Sequence, residues 1–118
     1  MFNFEKLDVW HKAIEYADEV YTITRAFPDD ERFGLTSRMR RAAVSISSNI
    51  AEGTSRHSRD EYVHFLEIAT GSIYEVVSQA MISKRQGFLS ESDYKRLYQA
   101  AEVQSRMLSG LRKCLGFS

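Results

Sequence analysis

The chain is short of the residues that break, cross-link or ligate. Of its 118 residues one is cysteine (Cys114), one is proline (Pro28) and six are glycine. A lone cysteine excludes an internal disulfide and a cysteine-based zinc site, and it suits a reducing compartment. So little proline and glycine leaves long uninterrupted stretches, which favours long helices over many short strands. No apolar run approaches the roughly 18 to 20 residues needed to span a bilayer. The N-terminus, MFNFEKLDVW, has no basic start followed by an apolar run, so no secretory signal is expected. The 16 basic and 16 acidic side chains cancel; no global field draws the chain to nucleic acid or membrane, and any such binding must come from local patches. The expectation is a cytoplasmic protein with no membrane role.

Recognisable chemistry is missing too. There is no glycine-rich phosphate loop, and Ser45, Ser47, Ser48 and Ser58 have no elbow, lysine partner or histidine spacing that would activate them. Cys114 lies beside Arg112 and Lys113, with no histidine near to serve as base. Glu61-Tyr-Val-His64 has the Glu-x-x-His spacing of di-iron bundles, but that chemistry needs the motif twice with two further carboxylates. Glu61 is explained by helix capping, and His57 and His64 by a surface position. The sequence therefore points to no catalytic residue, no metal and no cofactor, and to a non-enzyme.

What is present is helical periodicity. Hydrophobic residues make up 43% and charged residues 27% of the chain, ordinary for a folded protein, and the length fits one domain over residues 1–118. The stretch LTSRMRRAAVSISSNIAEG, from Leu35 to Gly53, has no charge or aromatic between Ala42 and Ala51. A helix there can be approached closely on several sides, so it reads as the packing spine. Its core stripe is Met39, Ala42, Ala43, Ile46 and Ile50, with Arg40, Val44, Ser47 and Ala51 on a small, mostly neutral flank. Thr36 is its expected N-cap and Gly53 its expected left-handed C-cap.

Before the spine, a helix from Asp8 as N-cap to about Ala26 carries the stripe Trp10, Ala13, Ile14, Ala17, Val20, Tyr21 and Thr24. Phe27-Pro28 ends it, and Asp29, Asp30, Glu31 and Arg32 read as a solvated turn. After the spine, Ser58-Arg-Asp-Glu61 is a capping box that opens a third helix running to about Gln86. Its buried positions are Tyr62, Phe65, Leu66, Ala69, Ile73, Val76, Val77 and Ala80. Gly71 in its middle implies close approach by a neighbour, and Gly87 ends it. Ser90 or Ser92 caps a fourth helix with stripe Tyr94, Leu97, Tyr98, Ala101, Leu108, Leu111 and Leu115, interrupted by Gln104. Short connections make the neighbours antiparallel, giving an all-α, up-down four-helix bundle. The expected core includes Trp10, Ala42, Ile46, Ile50, Phe65, Ala69, Ile73, Leu97, Leu108 and Leu111. Asn49, beside the spine stripe, reads either as a ligand-binding amide or as a hydrogen-bonded residue that fixes helix register.

Charge is unevenly placed. Residues 1–33 hold 4 basic and 8 acidic side chains, and residues 34–59 hold 5 and 1. Arg38, Arg41, Arg56 and Arg59, with His57, form a stripe suited to phosphates. The competing reading is an interface in which one subunit's arginine-rich helix meets another's acidic first helix. The small flank of Arg40, Val44, Ser47 and Ala51 suggests an oligomer contact.

Several residues together resemble a known family: Leu7-Asp-Val-Trp10 with Ala13, Phe27-Pro28, Glu31 with Phe33-Gly-Leu-Thr36, Arg41-Ala42-Ala43, Ser45-Ile46, Asn49-Ile-Ala-Glu-Gly53, Arg56, Ser58, and Ala69-x-Gly71-Ser72 with Glu75. The pattern is similar to that of the bacterial four-helix-bundle proteins encoded in 23S rRNA intervening sequences, also called the S23 family. The resemblance implies a homopentameric ring. A related branch, the accessory variability determinant of diversity-generating retroelements, implies binding of RNA or DNA and of a partner reverse transcriptase through a basic surface. Ser47 stands where the family pattern carries proline, and the zero net charge departs from the basic character of the retroelement branch. Two functions follow as expectations: RNA or nucleoprotein binding, or a protein-interaction scaffold with no nucleic-acid role.

Overall fold

The computed structural model describes residues 1–117, and among these four long helices carry the fold. They are α1 (Asp8–Thr24), α2 (Ser37–Gly53), α3 (Arg59–Arg85) and α4 (Glu91–Cys114). They form because each offers an apolar stripe at helical spacing, and the stripes meet in one core. Contacts fix the directions. Ser45 of α2 meets Ser72 of α3 and Met39 meets Ser83, so α2 and α3 are antiparallel. Tyr16 of α1 bonds Leu97 of α4 and Lys84 of α3 pairs with Glu91 of α4, so α4 closes the bundle against α1 and α3. At 27 residues α3 extends about 40 Å, close to the 43 Å long axis of the molecule.

Ala42, Ile46, Ile50, Ala69, Ile73, Leu97 and Leu108 are buried as expected, Trp10 and Leu111 sit partly buried against the core, and Phe65 is partly buried beside Gly53 and under Arg56 instead. The α1 stripe is rotated from the sequence reading. Val9, Tyr16 and Ile23 join Ala13, Val20 and Thr24 inside, and Ile14, Ala17 and Tyr21 move to the flank. The cause is Tyr16, which buries its ring and satisfies its hydroxyl on the Leu97 carbonyl at 3.0 Å, as a buried tyrosine must. Burial, then the nearby Glu19 charge, pushes the Tyr16 phenol far above its ordinary range. Gln104 does not interrupt the α4 stripe by turning outward. It is 1% exposed, its amide donates to the Ala100 carbonyl at 3.1 Å, and its Oε1 has no partner among the described residues.

Helix starts differ in which side chain does the capping. Leu7, not Asp8, occupies the N-cap of α1, which leaves Asp8 in the first turn, where its charge faces the positive end of the helix. The stretch after Pro28 is structured rather than a solvated turn. A short 3-10 turn, Asp29–Glu31, leads into a wide turn, Arg32–Thr36, that runs on into α2. The Glu31 carboxylate accepts the Leu35 N–H at 3.0 Å, so Glu31 caps this end; Thr36 is buried, helical and makes no capping bond. Ser58 accepts from the Glu61 N–H at 3.1 Å and Ser90 from the Asp93 N–H at 3.0 Å, which fixes Ser90 as the α4 cap.

Two helical glycines depart from the roles expected of them. Gly53 has no positive φ. A Cβ there would lie 3.0 Å from Tyr62 Cδ1 and 3.2 Å from Phe65 Cβ, so this glycine is what lets α3 fold back tightly on α2. Gly71, read as a close-approach site, is open: a Cβ would meet nothing within 4 Å in the chain. Gly87, with φ of 83°, is the left-handed stop after α3.

Candidate nucleic-acid interface

The four arginines do not form one stripe. Arg38 and Arg41 lie near the start of α2, and Arg56 and Arg59 follow its end, about 22 Å away by helical rise. The second pair is held by its own chain. Arg56 pairs with Glu52 at 3.0 Å and stacks over Phe65 at 4.6 Å. Arg59 donates to the Leu115 carbonyl at 3.3 Å, where the negative end of α4 favours a cation.

Arg38 and Arg41 are different. Both are exposed, and among the described residues neither has a carboxylate within ion-pair distance. They border a groove of about 400 Å³ between α2 and α3, whose other walls are Ala42, Ser45, Ser72, Glu75 and Gln79. The floor is hydrogen-bonded. Asn49 Nδ2 donates to the Ser45 carbonyl at 2.8 Å and to Ser45 Oγ at 2.9 Å, and Ser72 Oγ lies 2.9 Å from Ser45 Oγ. Asn49 thus spends its amide donor on its own helix and ties α2 to α3 through the serine pair. The sequence reading assigns no site role to Ser45, Ser72 or Gln79. The signal that finds them is spacing: Arg38, Arg41 and Ser45 repeat at i, i+3, i+7 on one helix, and Ser72, Glu75 and Gln79 do so on the other.

The small flank of α2 is partly used within the chain. Arg40 donates from Nε to Thr24 Oγ1 at 2.9 Å and stacks over Tyr21 at 4.7 Å, which ties α2 to α1. Ser47 is buried and its hydroxyl donates to the Val44 carbonyl at 3.1 Å. Val44 is exposed and Ala51 half-buried. On the other side of the bundle, α3 and α4 leave an apolar groove of about 500 Å³. Tyr74, 68% exposed, and Tyr98, 44% exposed, stand beside it. His57, Glu61 and His64 are all exposed. Among the described residues no three histidine, cysteine or acidic side chains gather as a metal set, and no helix is long and apolar enough to cross a membrane.

Fold and groove together define an up-down helical bundle with two guanidinia, unpaired among the described residues, on the face between its second and third helices. The family profile described as 23S rRNA-intervening sequence protein matches residues 5–110. The chain belongs to that family. It is similar to a crystal structure of a protein with unknown function from the S23 ribosomal protein family of Bacteroides thetaiotaomicron VPI-5482. The TM-score is 0.79 at 20% identity, over 89% of this chain and 98% of that one. No curated protein matches the chain significantly.

Proposed function

We propose that the chain is a cytoplasmic, non-enzymatic, homo-oligomeric bundle that binds RNA through phosphate contacts. The observation that carries this reading is the pair Arg38 and Arg41, two charged groups that among the described residues form no ion pair, set beside hydroxyls, an amide and the Glu75 carboxylate in an open groove. Unpaired guanidinia at such a place suit phosphate oxygens, which they can contact in a fork. The family's name, tied to 23S rRNA, supports the same direction. Arg56 and Arg59 make a weaker second contact, since phosphate there competes with Glu52 and Leu115. Assembly into the homopentamer that the S23 resemblance implies would use the open part of the α2 flank, Val44 and Ala51. It would repeat the groove in every subunit, so modest single-site affinity becomes useful avidity.

The apolar α3–α4 groove favours a second reading, a protein-interaction scaffold whose partner, in the retroelement branch, is a reverse transcriptase. One pair of measurements separates the two. A fluorescence-anisotropy titration with structured RNA at about 50 mM salt, beside a light-scattering mass, should show binding by an oligomer and loss of binding in Arg38→Glu with the mass unchanged. Binding should weaken steeply as salt rises. No binding by an intact oligomer would leave the scaffold.

A further inference from the structure

Two apolar features are left uncovered by the described residues, and they lie on opposite sides of the bundle. The first is Phe33, in the connection that leads into α2. Its ring is 88% exposed, and it does not sit on a loose loop. The Glu31 carboxylate accepts the Leu35 N–H at 3.0 Å, so a hydrogen bond closes the turn around Phe33 and keeps the ring in solvent. Tyr21 is exposed on the neighbouring α1 surface, stacked under Arg40, and Val44 is exposed one turn of α2 further on. The second feature is the groove of about 500 Å³ between α3 and α4, floored by Ile73, Val77 and Ala101 and walled by Tyr74 and Tyr98. Both α1 and α3 pack chiefly on α2 and α4, so the helices stand at the corners of a square. The α1–α2 side is therefore opposite the α3–α4 side.

A twofold contact brings the same patch of two copies together, Phe33 against Phe33, and leaves the groove empty. A head-to-tail contact places each copy's Phe33 in the next copy's groove and removes both apolar surfaces from water, the main driving force for association. Charge agrees with this arrangement. The Arg32 guanidinium lies 6.0 Å from the Phe33 ring centre, and Asp29 and Asp30 precede it in the same turn. Glu102 and Arg106 line the groove. Among the described residues none of these five makes an ion pair. Glu102 and Arg106 are four apart on one helix, a spacing at which such residues can pair, and they do not. The projecting turn and the groove thus carry open charges of both signs, Arg32 to face Glu102 and Asp30 to face Arg106.

We propose that copies of this chain associate head to tail, with Phe33 of one copy seated in the α3–α4 groove of the next and Arg32 beside Glu102. The inference rests on the homo-oligomeric part of the reading above, not on its RNA part, and adds the surfaces that join the copies. Such a contact makes a closed ring when its rotation closes, with Val44 on the joining side.

The test is sedimentation velocity of the full chain at micromolar concentration. Phe33→Ala removes the projecting ring, and Ser78→Arg puts a long charged side chain into the groove. Both positions are exposed, so the helical signal should be unchanged. Each variant alone should associate about thirtyfold more weakly or worse and fall toward the 13.6 kDa of a single chain. Mixed in equal amounts, the two should form a heterodimer of twice that mass and nothing larger. Phe33 of the Ser78→Arg copy enters the intact groove of the Phe33→Ala copy, and the surfaces left over have neither ring nor groove. Arg32→Glu should weaken association several-fold, and adding Glu102→Arg to the same chain should restore it. Variants that keep the wild-type mass, or a mixture that gives no dimer, overturn the inference, leave the homo-oligomer in place and free the groove for a different protein. A wild type that is monomeric at the same concentration overturns the homo-oligomeric reading as well. RNA binding and its loss in Arg38→Glu are independent of either result.

Discussion

The seam between α2 and α3 and the seams that hold α4 are built on different principles. Between α2 and α3 several of the contacts are made by small or polar residues. Gly53 lies under Tyr62 and Phe65, Ser45 bonds Ser72 at 2.9 Å, and the Ser83 hydroxyl lies 3.5 Å from the Met39 sulfur. Here backbones come close and hydrogen bonds set the register. Around α4 the work is done by large side chains, Leu97 and Leu108 within and Tyr16 across from α1, with ion pairs at the ends. The α4 side leaves an apolar groove against α3, whereas the groove beside the tight seam is lined by charge and hydroxyls. A close seam places donors and acceptors to within a bond length. A seam of bulky side chains fills volume and leaves its outer margin open.

Truncation inside the two regions should separate them most. Ile46→Ala in α2 and Leu108→Ala in α4 both remove fully buried side chains, and each should cost about 2 to 5 kcal/mol in urea unfolding. The α2 variant should lose more, because a helix pinned by short contacts cannot collapse into the cavity. Equal losses would erase the distinction between the seams. A loss below about 1 kcal/mol at either site would contradict its place in the core.

The glycines sharpen the comparison next. Gly53→Ala pushes a methyl into Tyr62 and Phe65 and should destabilise by about 1 to 3 kcal/mol. Gly71→Ala meets open space and should stabilise by about 0.5 to 1 kcal/mol through helix propensity alone. A fall in stability for Gly71→Ala at concentrations where the chain assembles would place another subunit against that face.

Tyr16→Phe keeps the ring and deletes one bond across the α1–α4 seam. The expected loss is about 0.5 to 1.5 kcal/mol, smaller than either truncation, since the Leu97 carbonyl stays within its helix. The smallest effect belongs to Glu91. The hydrogen bond from Lys84, 2.6 Å away, holds its carboxyl below the ordinary glutamate range, with the Lys84 charge adding to it and burial opposing it. A carboxyl whose value is depressed by folding contributes stability that is complete above its unfolded value. That contribution is lost as pH falls through the folded one. Thermal melts of wild type and Glu91→Gln should therefore differ near neutrality and converge below about pH 4. Curves that stay parallel through that range would show that Lys84 adds nothing to the α3–α4 seam.

The sequence carried the fold because its signals are periodic and local. Four stripes, a serine three residues before Glu61 and a glycine after α3 suffice to mark four helices and their antiparallel order. The errors come from side chains whose partners are distant in sequence. Tyr16 turns α1 because it finds Leu97, 81 residues on, and no spacing within α1 shows that. Glu31 displaces Thr36 as the cap because the chain between them coils into a wide turn. Gly53 and Gly71 are both helical glycines, and only the position of Tyr62 and Phe65 tells which one is crowded. The arginines were visible as a charge excess, but their division into a free pair and an engaged pair depends on Glu52, Phe65 and Leu115. The spacing of Ser72, Glu75 and Gln79 puts them on one face of α3, but that this face meets Arg38 and Arg41 shows only when α2 is laid beside it.

The loops also differ between the two ends of the bundle. Phe27, in the α1–α2 connection, and Phe88, in the α3–α4 connection, pack at a 50° tilt with ring centres 5.9 Å apart, so two connections distant in sequence form one cap. The α2–α3 connection at the opposite end has exposed residues from Ser55 to Ser58. This makes the chain unequally tolerant of added length. A flexible glycine-serine spacer after Ser55 should be accommodated at small entropic cost, whereas one after Phe27 would pull apart the cap that orients the starts of α2 and α4. The tolerant position adjoins Arg56, and the intolerant one lies at the Arg38 end. The natural place for this architecture to accept an insertion is therefore beside the engaged arginine pair, where it leaves the α2–α3 groove in register.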